Sequence, residues 1–204
     1  MPYLNILKPL SVLFIGILLC IQASLAYSGD QPHHLHFVSF IEPPYIFDPE
    51  ESDDKGLVEI LLDKLMKKID IQYDISILPA KRAEIIAKTT ENTCVLPIEK
   101  SQEREVFFSW ISPILISKHG FFGVPSSSFI TLNTLNDAYP YRIGSYLGSG
   151  IGEYLNSFKY KVDFATQNEA NVQKLKAKRI DLWASDILSA QHISKHAGIK
   201  ISPS

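Results

Sequence analysis

Residues 57–79, LVEILLDKLMKKIDIQYDISILP, change periodicity within one short stretch. Leu57, Leu61, Leu65 and Ile69 recur at helical spacing, and Ile71, Tyr73, Ile75 and Ile77 then alternate with polar residues. The first pattern predicts a helix over 57–68 with the Leu57, Leu61, Leu65 and Ile69 face in the core; the second predicts a strand ending at Leu78-Pro79. Asp53 or Asp54 is placed to cap that helix. A helix running straight into a strand is the repeating unit of an α/β chain with a largely parallel sheet.

The same alternation extends in both directions. Upstream, 35–40 reads as a strand, and Glu42-Pro43-Pro44-Tyr45 follows as a rigid loop, because a proline cannot donate to a sheet ladder. The loop holds Tyr45 at the strand's C-terminal end. Downstream, 81–89 reads as a short helix and 93–98 as another apolar stretch, while 107–116, with Ser109-Trp110 and Ser112-Pro113-Ile114, reads as a strand crossing between lobes. The run Pro125-Ser126-Ser127-Ser128 interrupts the chain, and a second set of units follows. It comprises strands at 141–145, 162–165 and 180–184. A turn at Gly148-Ser149-Gly150 opens a helix toward Phe158, Asn168 caps a helix to Lys178, and Ser185 or Asp186 caps a last helix ending near Gly198.

The N-terminus reads as a targeting segment. Lys8 precedes the uncharged run PLSVLFIGILLCIQ (9–22), and Ser24-Leu25-Ala26 supplies small residues for cleavage after Ala26. A membrane-spanning helix needs roughly 20 apolar residues, so an uncleaved anchor is the lesser alternative. Lipidation at Cys20 is disfavoured by the bulky Leu18-Leu19 before it. The expected organisation is a signal peptide at 1–26, a first lobe at 27–115 and a second lobe at 116–204, in the periplasm. Only Cys94 of the two cysteines survives processing, which rules out an intramolecular disulfide and leaves Cys94 as a small core residue. The formal charge of −2, with both signs interspersed, carries no footprint for nucleic acid and suits a small neutral or zwitterionic ligand.

Four blocks together resemble the amino-acid-binding family of periplasmic solute-binding proteins that serve ABC importers. They are Pro43-Pro44-Tyr45; Ser101-Gln102-Glu103-Arg104 ahead of Phe108-Ser109-Trp110 and Pro113; 143–150 (IGSYLGSG); and Arg179-Ile180-Asp181 with Asp186 beyond. The resemblance implies a type II periplasmic-binding-protein fold, with two α/β lobes closing on a ligand. It also implies a membrane permease as partner, no cofactor, no catalytic or metal-ligating residues, and a monomer.

By this resemblance Arg104 binds a ligand carboxylate, a role its planar fork of donors suits. Read by itself, it is a surface arginine paired with Glu103 or Glu105. Ser149, at a helix N-terminus, completes the carboxylate site or simply caps the helix. Asp186 pairs with an α-amino group or caps the last helix. Tyr45 stacks on the ligand or lies over its cationic group. Arg82, in Pro79-Ala80-Lys81-Arg82, faces the cleft or supports it.

Two departures qualify the resemblance. Where the family carries hydroxyl residues before the arginine, this chain has Pro97 and Glu99. Glu99 either pairs with a cationic ligand group or neutralises Arg82 or Arg104. The family's polypeptide also returns to the first lobe, whereas this chain stops at Ile201-Ser202-Pro203-Ser204, as a truncated or shortened member with apolar sheet surface exposed. The rivals are a dehydratase-like enzyme using Glu99 as acid or base, and a sensing module serving no importer. His33, His34 and His36 lack a carboxylate or cysteine at metal-ligand spacing, and no phosphate-binding loop or nucleophile elbow is present.

Overall fold

The computed structural model describes residues 34–125 and 130–203. The expected signal peptide, Cys20, His33 and Ser126 to Ser128 lie outside them.

The first lobe is a three-stranded, fully parallel sheet of order β2-β1-β3. Its strands are β1 (His34–Ser39), β2 (Gln72–Ile77) and β3 (Thr93–Val95), with helices α1 (Leu57–Ile69) and α2 (Ala80–Thr89) as crossovers. Helix α1 buries Val58, Leu62 and Met66 against Phe37, Tyr45, Ile46 and Leu96. The core row is therefore one residue on from the expected one: Leu57, Leu65 and Ile69 are exposed. The cause lies at the helix start. Gly56, rather than Asp53 or Asp54, is the N-cap, and it fits because a Cβ there would lie 2.1 Å from the Tyr45 carbonyl oxygen. Backbone bonds from Leu57 to Pro44 and from Val58 to Tyr45, both 3.0 Å, fix the rotation of the helix. Helix α2 covers the other face, where Ala83 packs with Val38 and Phe40.

The connection begins with one helical turn, α3 (Gln102–Glu105), and then runs irregularly to residue 118. The crossing strand expected over 107–116 does not form. Among the described residues no strand pairs with this segment, and Val106, Ile111 and Ile116 are exposed. Without a partner ladder, β-forming side chains alone do not make a strand.

The second lobe is a five-stranded mixed sheet of order β6-β5-β7-β4-β8. Its strands are β4 (His119–Gly123), β5 (Arg142–Tyr146), β6 (Lys161–Ala165), β7 (Leu182–Asp186) and β8 (Ser202–Pro203). Strands β6, β5 and β7 are parallel, whereas β4 is antiparallel to both β7 and β8. Helices α4 (Gly150–Ser157), α5 (Ala170–Lys176) and α6 (Ile187–His196) flank it. Ile143, Leu182 and Trp183 are fully buried between these layers. Asn168 does not cap α5 through its side chain; Glu169 holds the cap position, and the Asn168 amide is buried in a polar network.

His34 and His36 both contact Asp74, which the register of β1 on β2 sets opposite His36. The fold thus supplies the carboxylate that the local sequence lacks, although no group of three or more side chains among the described residues forms a metal site. Cys94 is half-buried against the first-lobe core, and burial pushes its thiol pKa up.

Candidate functional site

The sequence puts polar or aromatic residues just past four parallel strands, and the fold turns those strand ends toward one cavity of about 810 Å³. Glu42 and Tyr45 follow β1, Glu99 follows β3, Ser149 follows β5 and Asp186 ends β7; all line the cavity, as does Trp110 from the connection. Ligands of open α/β sheets bind outside the carboxyl ends of strands, and the volume lies in the usual range for small-molecule sites.

Tyr45 is buried, and its hydroxyl donates to Asp186 Oδ1 at 3.0 Å, joining the lobes. The same oxygen caps α6 by accepting from the Leu188 and Ser189 backbone N–H groups. Asp186 Oδ2, in contrast, is buried without a hydrogen-bond partner. Ser149 caps α4, its Oγ accepting from Gly152 N at 3.3 Å. Both residues therefore cap helices as the sequence suggests and also face the cavity.

Glu99 lies 2.7 Å from His119 Nε2, and its charge and hydrogen bond raise the His119 pKa. Its other carboxyl oxygen rests against the first turn of α4: a Cβ added to Gly150 would come within 1.8 Å of Glu99 Oε2. A carboxylate of the chain itself thus stands beside Gly150 at the start of α4, where backbone N–H groups favour an anion.

Arg104 is only 3 % exposed and does not line the cavity. Its sequence neighbours Glu103 and Glu105 point to solvent, and its partners come from elsewhere. The guanidinium donates to Glu153 Oε2 at 2.8 Å, Gly148 O at 3.1 Å, Glu84 Oε2 at 3.3 Å and Glu99 O at 3.4 Å. Lys81 joins the group by bridging Glu84 and Glu153, and Lys88 pairs with Glu84. Burial opposes the Glu84 charge, but the Lys88 hydrogen bond and the Arg104 charge outweigh it and lower the pKa. Arg82 is exposed on α2 and lies outside the cavity wall.

Glu42, Asn168, Glu84 and Glu153 escape sequence reasoning. Glu42 is 5 % exposed; its Oε1 accepts from Asn168 Nδ2 at 3.0 Å. Its Oε2 has no partner at hydrogen-bond geometry. Burial raises its pKa to about 7, against the opposing influence of the nearby Ser189 and Tyr146 hydroxyls. Its position between an apolar strand and a double proline is the one local signal that could have marked it.

No protein-family model matches the sequence, and a search of curated proteins returns no relative. Solved structures do match by fold. A histidine kinase sensor domain with similarity to periplasmic binding proteins superposes with a TM-score of 0.75 at 16% identity, covering 83% of this chain and 75% of that one. The arginine-bound form of truncated ArgBP from T. maritima gives 0.72 at 15% identity, covering 84% and 82%. The GluR0 ligand-binding core from Nostoc punctiforme, in complex with L-glutamate, gives 0.71 at 18% identity, covering 83% and 77%. The chain has the two-lobed α/β architecture of type II periplasmic binding proteins.

Proposed function

We propose that the chain is exported to the periplasm, binds a small polar solute of the amino-acid or related carboxylate or amine class, and presents it to the permease of an ABC importer. The observation that carries this reading is the convergence of four strand ends from both lobes on one cavity. Tyr45 and Glu99 act from the lobe spanning 27–115; Ser149 and Asp186 act from the lobe spanning 116–204. Arg104 is a positioning residue, holding Glu99 and Gly148 through their carbonyls, and Arg82 has no direct role.

Binding is a population shift toward the form in which both lobes meet the ligand, and it needs no chemical step. The Tyr45 to Asp186 and Glu42 to Asn168 hydrogen bonds are lobe-to-lobe contacts that such a form retains. The arginine- and glutamate-bound states of two structural neighbours support an amino-acid-class solute. The charged leader and apolar run at 9–22 support export.

A second reading, ligand sensing without transport, is favoured by the histidine kinase sensor domain among the neighbours. Thermal melting of the purified chain against amino acids, polyamines and sugars tests the shared premise: at least one solute is expected to raise the midpoint saturably, and no shift from any class would refute it. Loss of solute uptake on deleting the gene, with signalling intact, separates transport from sensing.

A further inference from the structure

We propose that the ligand of this cleft is an organic cation without a carboxylate, a diamine, guanidine or quaternary amine; the inference rests on the solute-binding reading above.

The positions that would receive a carboxylate are filled by the protein. Arg104 stands behind the cavity wall, paired with Glu84 and Glu153. Glu99 stands beside Gly150 at the start of α4. A ligand carboxylate placed there would meet the like charge of Glu99 and a guanidinium already shared between two carboxylates, a combination that discriminates against anionic groups.

The wall is instead rich in acidic residues: Glu42, Glu99 and Asp186 all line it. Asp186 and Glu42 are 8 % and 5 % exposed, and Asp186 has one carboxyl oxygen without a hydrogen-bond partner. A buried acceptor left unpaired is costly, and a charged donor is its best complement. Of the cationic residues of the wall, Lys100 pairs with Glu105 at 3.0 Å, and His119 hydrogen-bonds Glu99 while Asp186 and Glu42 support its charge at longer range. Tyr45 and the edge-on pair Phe108 and Trp110, with ring centroids 5.7 Å apart, add aromatic surface suited to a cation. The orphaned donor in the wall, Trp110 Nε1, is a single neutral N–H, fit for a hydroxyl or carbonyl.

Matched ligands that differ only by the carboxylate test the inference on the purified full chain: agmatine against L-arginine, cadaverine against L-lysine, with choline and putrescine alongside. At a hundred times its dissociation constant a true ligand raises the melting midpoint by about 5–10 °C. At least one decarboxylated partner is expected to do so and to bind ten-fold or more tighter than its amino acid by calorimetry. Asp186→Asn keeps a helix cap, since asparagine caps as well as aspartate. Its unliganded midpoint is expected to stay near the parent's, while amine affinity falls about ten-fold or more. Glu99→Gln is expected to narrow the gap between amine and amino acid. If an amino acid binds and its decarboxylated partner does not, or if Asp186→Asn leaves amine affinity unchanged, the inference is overturned while solute binding stands. If no amine, amino acid or sugar binds, the solute-binding reading itself falls, and this inference with it.

Discussion

Replacing Glu42 with glutamine isolates the electrostatic cost of the buried acid where the lobes meet. The glutamine keeps the oxygen that accepts from Asn168 and removes only the charge that burial opposes. The folded-state pKa of about 7, against an ordinary value of 4.5, corresponds to roughly 3 kcal/mol. Between those values the folded chain holds a proton that the unfolded chain has released, so stability falls as pH rises from about 4.5 to about 7 and then levels off. Glu42→Gln lacks this loss. It is expected to match the parent near pH 4.5 and to exceed it by up to roughly 3 kcal/mol at pH 8. His119 also loses its favourable pairing with Glu99 as pH rises through its raised pKa; the part due to Glu99 is common to both proteins, and the smaller part due to the Glu42 charge belongs to the gap. Urea unfolding at several pH values, followed through the fully buried Trp183, measures the gap, and an unchanged m-value confirms that both proteins unfold alike. A gap that is constant with pH, or widens toward acid, would refute the reasoning.

Four further perturbations test the packing around the site. Glu84→Gln strips three cations of a buried partner and is expected to cost about 3 kcal/mol or more in urea unfolding. Glu153→Gln acts on a half-exposed carboxylate and should cost about 1 kcal/mol, less at high salt; equal losses for the two would contradict the burial argument. Because the Glu84 pKa is lowered, its contribution is present above the unfolded pKa and is lost as pH falls through the folded one, so Glu84→Gln should flatten the acid limb of the stability curve. Gly56→Ala drives a Cβ into the Tyr45 carbonyl and should destabilise the chain by about 1–3 kcal/mol, with α1 amides exchanging faster. The Cys94 thiol, raised by burial, is expected to react slowly with a disulfide reagent at pH 8 until the chain is unfolded; equal rates in both states would contradict its placement.

What the sequence reveals here is what neighbours along the chain decide. The switch of period at residue 70 identifies the α/β unit, and the residues past each strand place Tyr45, Ser149 and Asp186 at the site, because strand ends and helix caps are local matters. The face of α1 is not local in this sense. Leu57, Leu61 and Leu65 form as good a row as Val58, Leu62 and Met66, and only the bond from Val58 to Tyr45, across a loop, selects the second. Nor can the segment after α3 reveal that no strand lies beside it.

The partners of charged groups are more distant still. Arg104 reads as a ligand clamp or as the partner of Glu103 and Glu105, but folding brings it Glu84, twenty residues back, and Glu153, forty-nine ahead. Glu42 meets Asn168 across 126 residues. The sequence marks Arg104 as a cation and does not name its partners. Whether that cation is free to take a ligand depends on which carboxylates the fold delivers to it. Folding gives Arg104 two carboxylates while Asp186 keeps an unpaired oxygen, and the sign of the charge a ligand must carry follows from that distribution rather than from any single residue.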